Sequence, residues 1–257
     1  MRRLSVPIGR VLGVRLALHA SWFLVFGLVV WVTVSEFDGL YPRLGEPVHL
    51  AMGLVTGIAF FVCLTVHELA HAVVARRFGI HVRGITLFMF GGVAEIEGEV
   101  PSPSQEFAVA LVGPATSILL GGVFALLAVG ATDLGWPATE GVLGTLALVN
   151  LGVALFNLVP GLPLDGGRIL RAALWRLTGD HVRATRIAST GGRLLAVGLG
   201  GLGVVLPIMG DPFGLWYVPM AVFLWFLVRS ASRQTLPAPR PALALGDREG
   251  QATESGP

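Results

Sequence analysis

The sequence contains no lysine. Its 18 basic residues are all arginines, set against 16 acidic residues for a net charge of +2. So small an excess leaves no electrostatic footprint for nucleic acid, which needs a strongly basic face. Only one cysteine is present, Cys63. It cannot form an internal disulfide, and no cysteine-based metal site can be built. Any metal must therefore be held by histidine and carboxylate. Cys63 lies in an apolar run, where a small buried or lipid-facing side chain accounts for it. Charge of either sign is scarce: 13% of residues are charged, against roughly 25% in a soluble domain.

Apolar residues, by contrast, make up 54% of the chain, and they come in long runs. A run of about 20 apolar residues is long enough to cross a bilayer. Six runs qualify, near Ala17 to Val34, Ala51 to Ala75, Phe107 to Ala131, Gly141 to Leu177, Leu194 to Met209 and Leu215 to Val228. The first is read as a retained span, because about 18 residues is too long for a signal-peptide core and no small-residue cleavage site follows. With the N-terminus inside, every arginine except Arg43 falls in an inner segment, as the positive-inside rule requires. Both termini are then cytoplasmic, in a multi-pass protein of the cell membrane. The expected fold is an all-α polytopic membrane protein of six transmembrane helices, with a broken fourth span and a small β-hairpin or sheet after the second. Residues 1–230 form the embedded domain. Residues 231–257, rich in Pro, Ala, Gly and charge, are expected to be a disordered tail.

Between the second and third runs, Gly79 to Val100 is not a span. Two β-prone stretches flank Gly91-Gly92, and Val93-Ala94-Glu95-Ile96-Glu97 alternates apolar with acidic. That pattern predicts a hairpin with a half-exposed strand. Glu95 and Glu97 read first as its solvated face. Trp22, Trp31, Trp136, Trp216 and Tyr217 lie near span ends, as in an aromatic belt. His19, His49, His81 and His181 have no partner at ligand spacing.

The second run holds His67-Glu68-Leu69-Ala70-His71. Residues four apart share one helix face, so both imidazoles reach one metal. Glu68 is then placed for general-base work on water. Three ionisable residues in a span are costly, about 2.5–3.5 kcal/mol for an unpaired charge at the centre on insertion scales. They persist with a partner or a function. His67 precedes Arg76 by nine residues, which puts it about 13 Å below the cytoplasmic surface.

A catalytic zinc usually has three protein ligands, so a third donor must lie at membrane depth. Asp165 is the one carboxylate outside the loops, in Asn157-Leu158-Val159-Pro160-Gly161-Leu162-Pro163-Leu164-Asp165-Gly166-Gly167-Arg168. The 37 residues from Gly141 to Leu177 would be about 55 Å long as one helix. Pro160 and Pro163 break it, predicting two half-helices joined by an extended stretch beside a cavity. From the residues alone, Asp165 is equally a helix N-cap and Asn157 equally a backbone-capping amide. Their functional readings are a metal donor and a hydrogen-bond donor to a substrate carbonyl or oxyanion.

These two motifs, with Gly91-Gly92-Val93-Ala94 and Gly113-Pro114-Ala115, resemble the site-2 protease family of intramembrane zinc metalloproteases over roughly residues 5 to 230. The resemblance implies that His67, His71 and Asp165 bind one zinc ion, that Glu68 is the catalytic base and that Asn157 lies at the active site. It implies cleavage of single membrane-spanning helices, membrane-bound anti-sigma factors among them. No PDZ insertion fits between the motifs. The layout is closer to the small subgroup of spore-formation and archaeal members, many of which carry CBS domains. Here a short polar tail follows, and nucleotide control through CBS domains is not expected. The strand edge at Gly91 to Glu97, or the stretch Leu158 to Leu164, could pair with an unwound substrate by β-addition.

Two other readings compete. A metal-ion transporter should carry polar ligands in several spans, often in inverted repeats. Here the first, third, fifth and sixth spans are nearly free of charge. A catalytically inactive scaffold that binds membrane helices would have no need of Glu68.

Overall fold

The computed structural model describes residues 5–88, 91–97 and 100–235. Six helices among them are long and apolar enough to cross a membrane. They are α1 (Ser21–Leu40), α2 (Glu46–Arg77), α3 (Pro103–Asp133), α4 (Pro137–Asn157), α6 (His181–Ile208), and a 3-10 turn at Pro212–Trp216 that runs into α7 (Tyr217–Thr235). Their outward faces stay apolar: Leu126, Leu155 and Ile208 are all largely exposed. Helices apolar all round suit lipid on one side and protein on the other. The short α5 (Asp165–Thr178) lies between α4 and α6. The expected tail starts at 231, but α7 continues to Thr235, and residues 236–257 lie outside those described.

The six-span count holds, with shifted boundaries. The first span begins at Ser21 and ends at Leu40, not Ala17 to Val34. Ala17, Leu18 and His19 belong instead to a strand. Trp22 stacks on Phe26 and packs on Phe61, at centroid distances of 5.0 and 4.8 Å, which ties α1 to α2. The fifth span starts at His181, well before Leu194. Its early turns are amphipathic. Ala184, Thr185, Ala188 and Ser189 are buried while Arg183, Arg186 and Arg193 face out, so the helix precedes the apolar run. Asp180 caps it, its Oδ1 accepting from the Arg183 N–H at 2.8 Å.

The hairpin forms as expected, from β3 (His81–Phe88) and β4 (Gly91–Glu97). Two further strands precede the first span, β1 (Ser5–Val11) and β2 (Val14–His19). Together they make a four-stranded sheet of order β1-β2-β3-β4. The β1–β2 and β3–β4 pairs are antiparallel, and β2 runs parallel to β3 with Arg15 opposite Gly84 and Leu18 opposite Leu87. Val14 and Leu16 of β2 and Val82, Ile85 and Leu87 of β3 are buried against Leu69, Ala72 and Ala75 of α2 and Val109 of α3. The sheet is thus seated on the half of α2 that carries the histidine motif. Among the described residues, β4 is an edge strand.

The helical run from Gly141 to Leu177 is interrupted, as predicted, between α4 and α5, but α4 with its 21 residues is long and apolar enough to cross a membrane by itself, so it is a whole span and not the half-helix expected. The joint at residues 158–164 is a chain of turns and bends, not the extended stretch expected. Gly161 N–H donates to Val159 O at 2.8 Å, and Leu162 N–H to the α6 carbonyl of Ala188 at 3.0 Å. Two prolines with no N–H leave little ladder to extend. The joint also presses onto Gly191 and Gly192 of α6, where any Cβ would collide with the backbone of Pro160 and Leu162. β-Addition to this segment is therefore disfavoured, which leaves the β4 edge.

Candidate metal centre

The i, i+4 spacing on α2 does bring the two imidazoles together. Their ring centroids are 4.9 Å apart and the rings are nearly perpendicular. Both rings are buried. The His67 and His71 Nε2 atoms lie 3.2 Å apart. The third corner comes from α5: Asp165 Oδ2 is 3.3 Å from His67 Nε2 and 3.1 Å from His71 Nε2. Asp165 is the first residue of α5 and Leu164 occupies the cap position. The capping alternative for Asp165 is thus not taken, and its carboxylate turns to the imidazoles.

Hydrogen bonding determines what these three atoms offer. His71 Nδ1 lies 2.6 Å from the carbonyl oxygen of Val109. A carbonyl only accepts, so this nitrogen carries the hydrogen and neutral His71 presents a lone pair at Nε2. That lone pair faces the Asp165 carboxylate and the other imidazole. Acceptors converging in a buried site need a cation between them. Ligands about 2.0–2.2 Å from a tetrahedral zinc stand about 3.3–3.6 Å from one another. The three observed separations are close to the edges of such a face. The donor set of two imidazoles and one carboxylate therefore fits zinc. Among the described residues, no other group of three or more His, Cys, Asp or Glu donors converges in this way.

Helix α3 supplies the backing. His67 Nδ1 is 2.8 Å from Ser117 Oγ, Val109 holds His71, and Gly113 stands between the two. A Cβ built at Gly113 would lie 2.7 Å from His67 Nε2 and closer still to His71 Nε2. Only hydrogen fits there. A partner on the far ring nitrogen fixes the tautomer and orientation of a metal-binding histidine. Ser117→Ala is accordingly expected to weaken zinc binding about 10–100-fold, read by competition with a chelator. Unchanged affinity would remove Ser117 from the site.

Glu68 is half-buried beside the cluster, within electrostatic reach of His67, His71, Asp165 and Arg168. The backbone of β4 passes over it. A Cβ at Gly92 would stand 2.5 Å from Glu68 Cγ and 2.8 Å from Cδ. The edge strand and the carboxylate thus share one space. Asn157 closes α4, and its Nδ2 donates to Val153 O at 3.0 Å. That is a backbone partner, with one Nδ2 hydrogen left over. Ser117, the Val109 carbonyl and Gly113 were not identified from sequence as parts of the site. In the sequence, Gly113 stands out only as part of the Gly113-Pro114-Ala115 motif, without a role, and Ser117 and Val109 carry no signal of their own.

A profile of peptidase family M50 matches residues 55–134 and 131–199. The chain belongs to this family. Rip3 of Mycobacterium tuberculosis is 37% identical over 255 residues, an alignment covering 98% of this chain and 64% of Rip3. A zinc metalloprotease of Methanocaldococcus jannaschii is 30% identical over 196 residues, covering 75% of this chain and 52% of the relative. The chain spans between about half and two thirds of these relatives' lengths. The solved site-2 protease from Methanocaldococcus jannaschii aligns with a TM-score of 0.58 at 25% identity, covering 89% of this chain and 95% of that one. The protein is a multi-pass membrane member of family M50.

Proposed function

We propose that this M50 member is an intramembrane zinc metalloprotease that hydrolyses peptide bonds of membrane-spanning proteins. The observation that carries the reading is the convergence of His67 Nε2, His71 Nε2 and Asp165 Oδ2 inside a six-span bundle. His67, His71 and Asp165 hold one zinc ion. Bound there, zinc would supply Lewis acidity toward a carbonyl and toward water. Glu68 takes the proton of the attacking water and returns it to the leaving amide nitrogen. Asn157, with its spare Nδ2 hydrogen, is the candidate donor to the scissile carbonyl oxygen.

A helix cannot be cut while its carbonyls are tied up in i, i+4 hydrogen bonds. The free edge of β4 gives an unwound segment a strand to pair with, directly above Glu68. Membrane-bound anti-sigma factors are candidate substrates. The arginine asymmetry supports cytoplasmic termini and a site reached by water from the cytoplasmic side.

The reading is tested with the purified protein in liposomes beside a single-span substrate. One zinc per chain is expected. Stripping it with a chelator should abolish cleavage, and stoichiometric zinc should restore it. Cleavage that survives stripping would overturn the assignment. Zinc flux across the liposome without cleavage would favour the transporter.

A further inference from the structure

The reading above uses α3 from Val109 to Ser117, and the same side of the helix continues almost one turn further, to Glu106. Glu106, Gly113 and Ser117 follow one another along it at spacings of seven and four, which keep to one side of a helix. Glu106 is among the most buried residues of the protein, at 1% exposure. Its partner is Arg171 of α5, six residues beyond Asp165. Arg171 Nε donates to Glu106 Oε1 at 2.8 Å, and Arg171 Nη2 donates to the same oxygen. A second tie lies nearby, Arg176 Nη1 to Ser104 Oγ at 3.1 Å. Arg168, between Asp165 and Arg171, is within electrostatic reach of Asp165, Glu106 and Glu68.

Stability alone does not account for a buried ion pair, since apolar residues of similar volume usually serve as well. What the guanidinium fork adds is direction: two donors meeting one carboxylate fix where α5 sits along α3 and how it is rotated. Such a constraint is needed here. Asp165 opens a helix with no side-chain cap, after a joint of seven residues. Meanwhile α3 independently holds both imidazoles through Val109 and Ser117.

We propose that Glu106 and Arg171 are positioning residues, a clamp that registers α5 on α3 and so sets the distance of Asp165 from His67 and His71. The proposal rests on the metal reading above. It is tested by chelator competition for zinc in detergent-solubilised wild type, Glu106→Gln, Arg171→Gln and the double variant, with helicity and unfolding of each zinc-free protein followed in parallel. Either single change is expected to weaken zinc binding about 10–100-fold, as loss of a partner that orients a ligand does. The double variant should bind no more weakly than the worse single one, since paired residues are not additive. Zinc affinity within twofold of wild type in a folded Glu106→Gln protein would overturn the clamp. So would fully additive losses in the double variant. If the single variants do not fold, Arg171→Lys keeps the charge but loses the fork. It should still cost several-fold in zinc affinity, and an unchanged value overturns the proposal. A wild type that binds no zinc overturns the metal reading and the clamp together. A wild type that binds it, with variants that bind equally well, overturns the clamp alone.

Discussion

Glu68→Gln is expected to bind zinc as wild type does and to cut its membrane-helix substrate at least about 10²–10⁴ times more slowly, the range for loss of a general base. The geometry separates the two properties. The converging donors are His67 Nε2, His71 Nε2 and Asp165 Oδ2, and Glu68 is not one of them. Glutamine matches glutamate in shape, so it fills the space beneath Gly92 without disturbing β4. It cannot take up a proton. The measurement pairs the zinc content of both purified proteins with initial cleavage rates in liposomes. Equal rates would sink the mechanism and revive the helix-binding scaffold or the transporter. Loss of zinc together with activity would assign Glu68 to holding the metal. Substrate capture without turnover would agree with an intact β4 edge and a missing base.

The parts of this site that sequence made legible are those set by local geometry. His67 and His71 share a face because any helix places i and i+4 together, and the apolar run around them guaranteed the helix. Asp165 could be singled out because Pro160 and Pro163 force a break, and a break at membrane depth needs protein or water beside it. The partners on α3 were hidden for a different reason. Val109 contributes a backbone carbonyl, which no side chain announces, and Gly113 contributes the absence of a side chain. Glu106 stands in the first turn after the hairpin, where an acidic residue reads as a helix-start preference. Its burial against Arg171 is purely tertiary. Of the two strands that precede the first span, β2 had a visible signal. Val14-Arg15-Leu16-Ala17-Leu18-His19 alternates at period two, and Val14 and Leu16 are buried while Arg15 is exposed. Hydropathy merged its end with the span that follows. Pro160 and Pro163 alone predict an extended joint at 158–164. Its turns come from close packing on Gly191 and Gly192, which a single sequence does not register.

Gly113→Ala is the sharpest test of how tightly α3 closes on the cluster, because the helix preference for alanine and the contact with the imidazoles act in opposite directions. In the middle of a helix, alanine is favoured over glycine by about 0.8–1.0 kcal/mol. A methyl group that met nothing would therefore leave the zinc-free protein as stable as wild type or slightly more so. At this position it meets both imidazoles. The new Cβ lies 2.7 Å from His67 Nε2, with His71 Nε2 and Cε1 nearer still. These are the atoms that face Asp165. The rings cannot simply swing aside, because their other nitrogens are held by Ser117 and Val109 on the same helix. Either α3 retreats from α2, or the rings turn and lose those partners. Both routes spoil the three-donor face, and zinc affinity is expected to fall by at least about 100-fold, the upper end of what losing a ligand-orienting partner costs. Cleavage should fall with it and recover only partly in excess zinc. Unfolding of the zinc-free protein and chelator competition, measured on the same preparation, decide the matter. Wild-type zinc affinity in a folded Gly113→Ala protein would mean that α3 can yield at this point without cost to the cluster. The tight backing of the two histidines would then be incidental to metal binding.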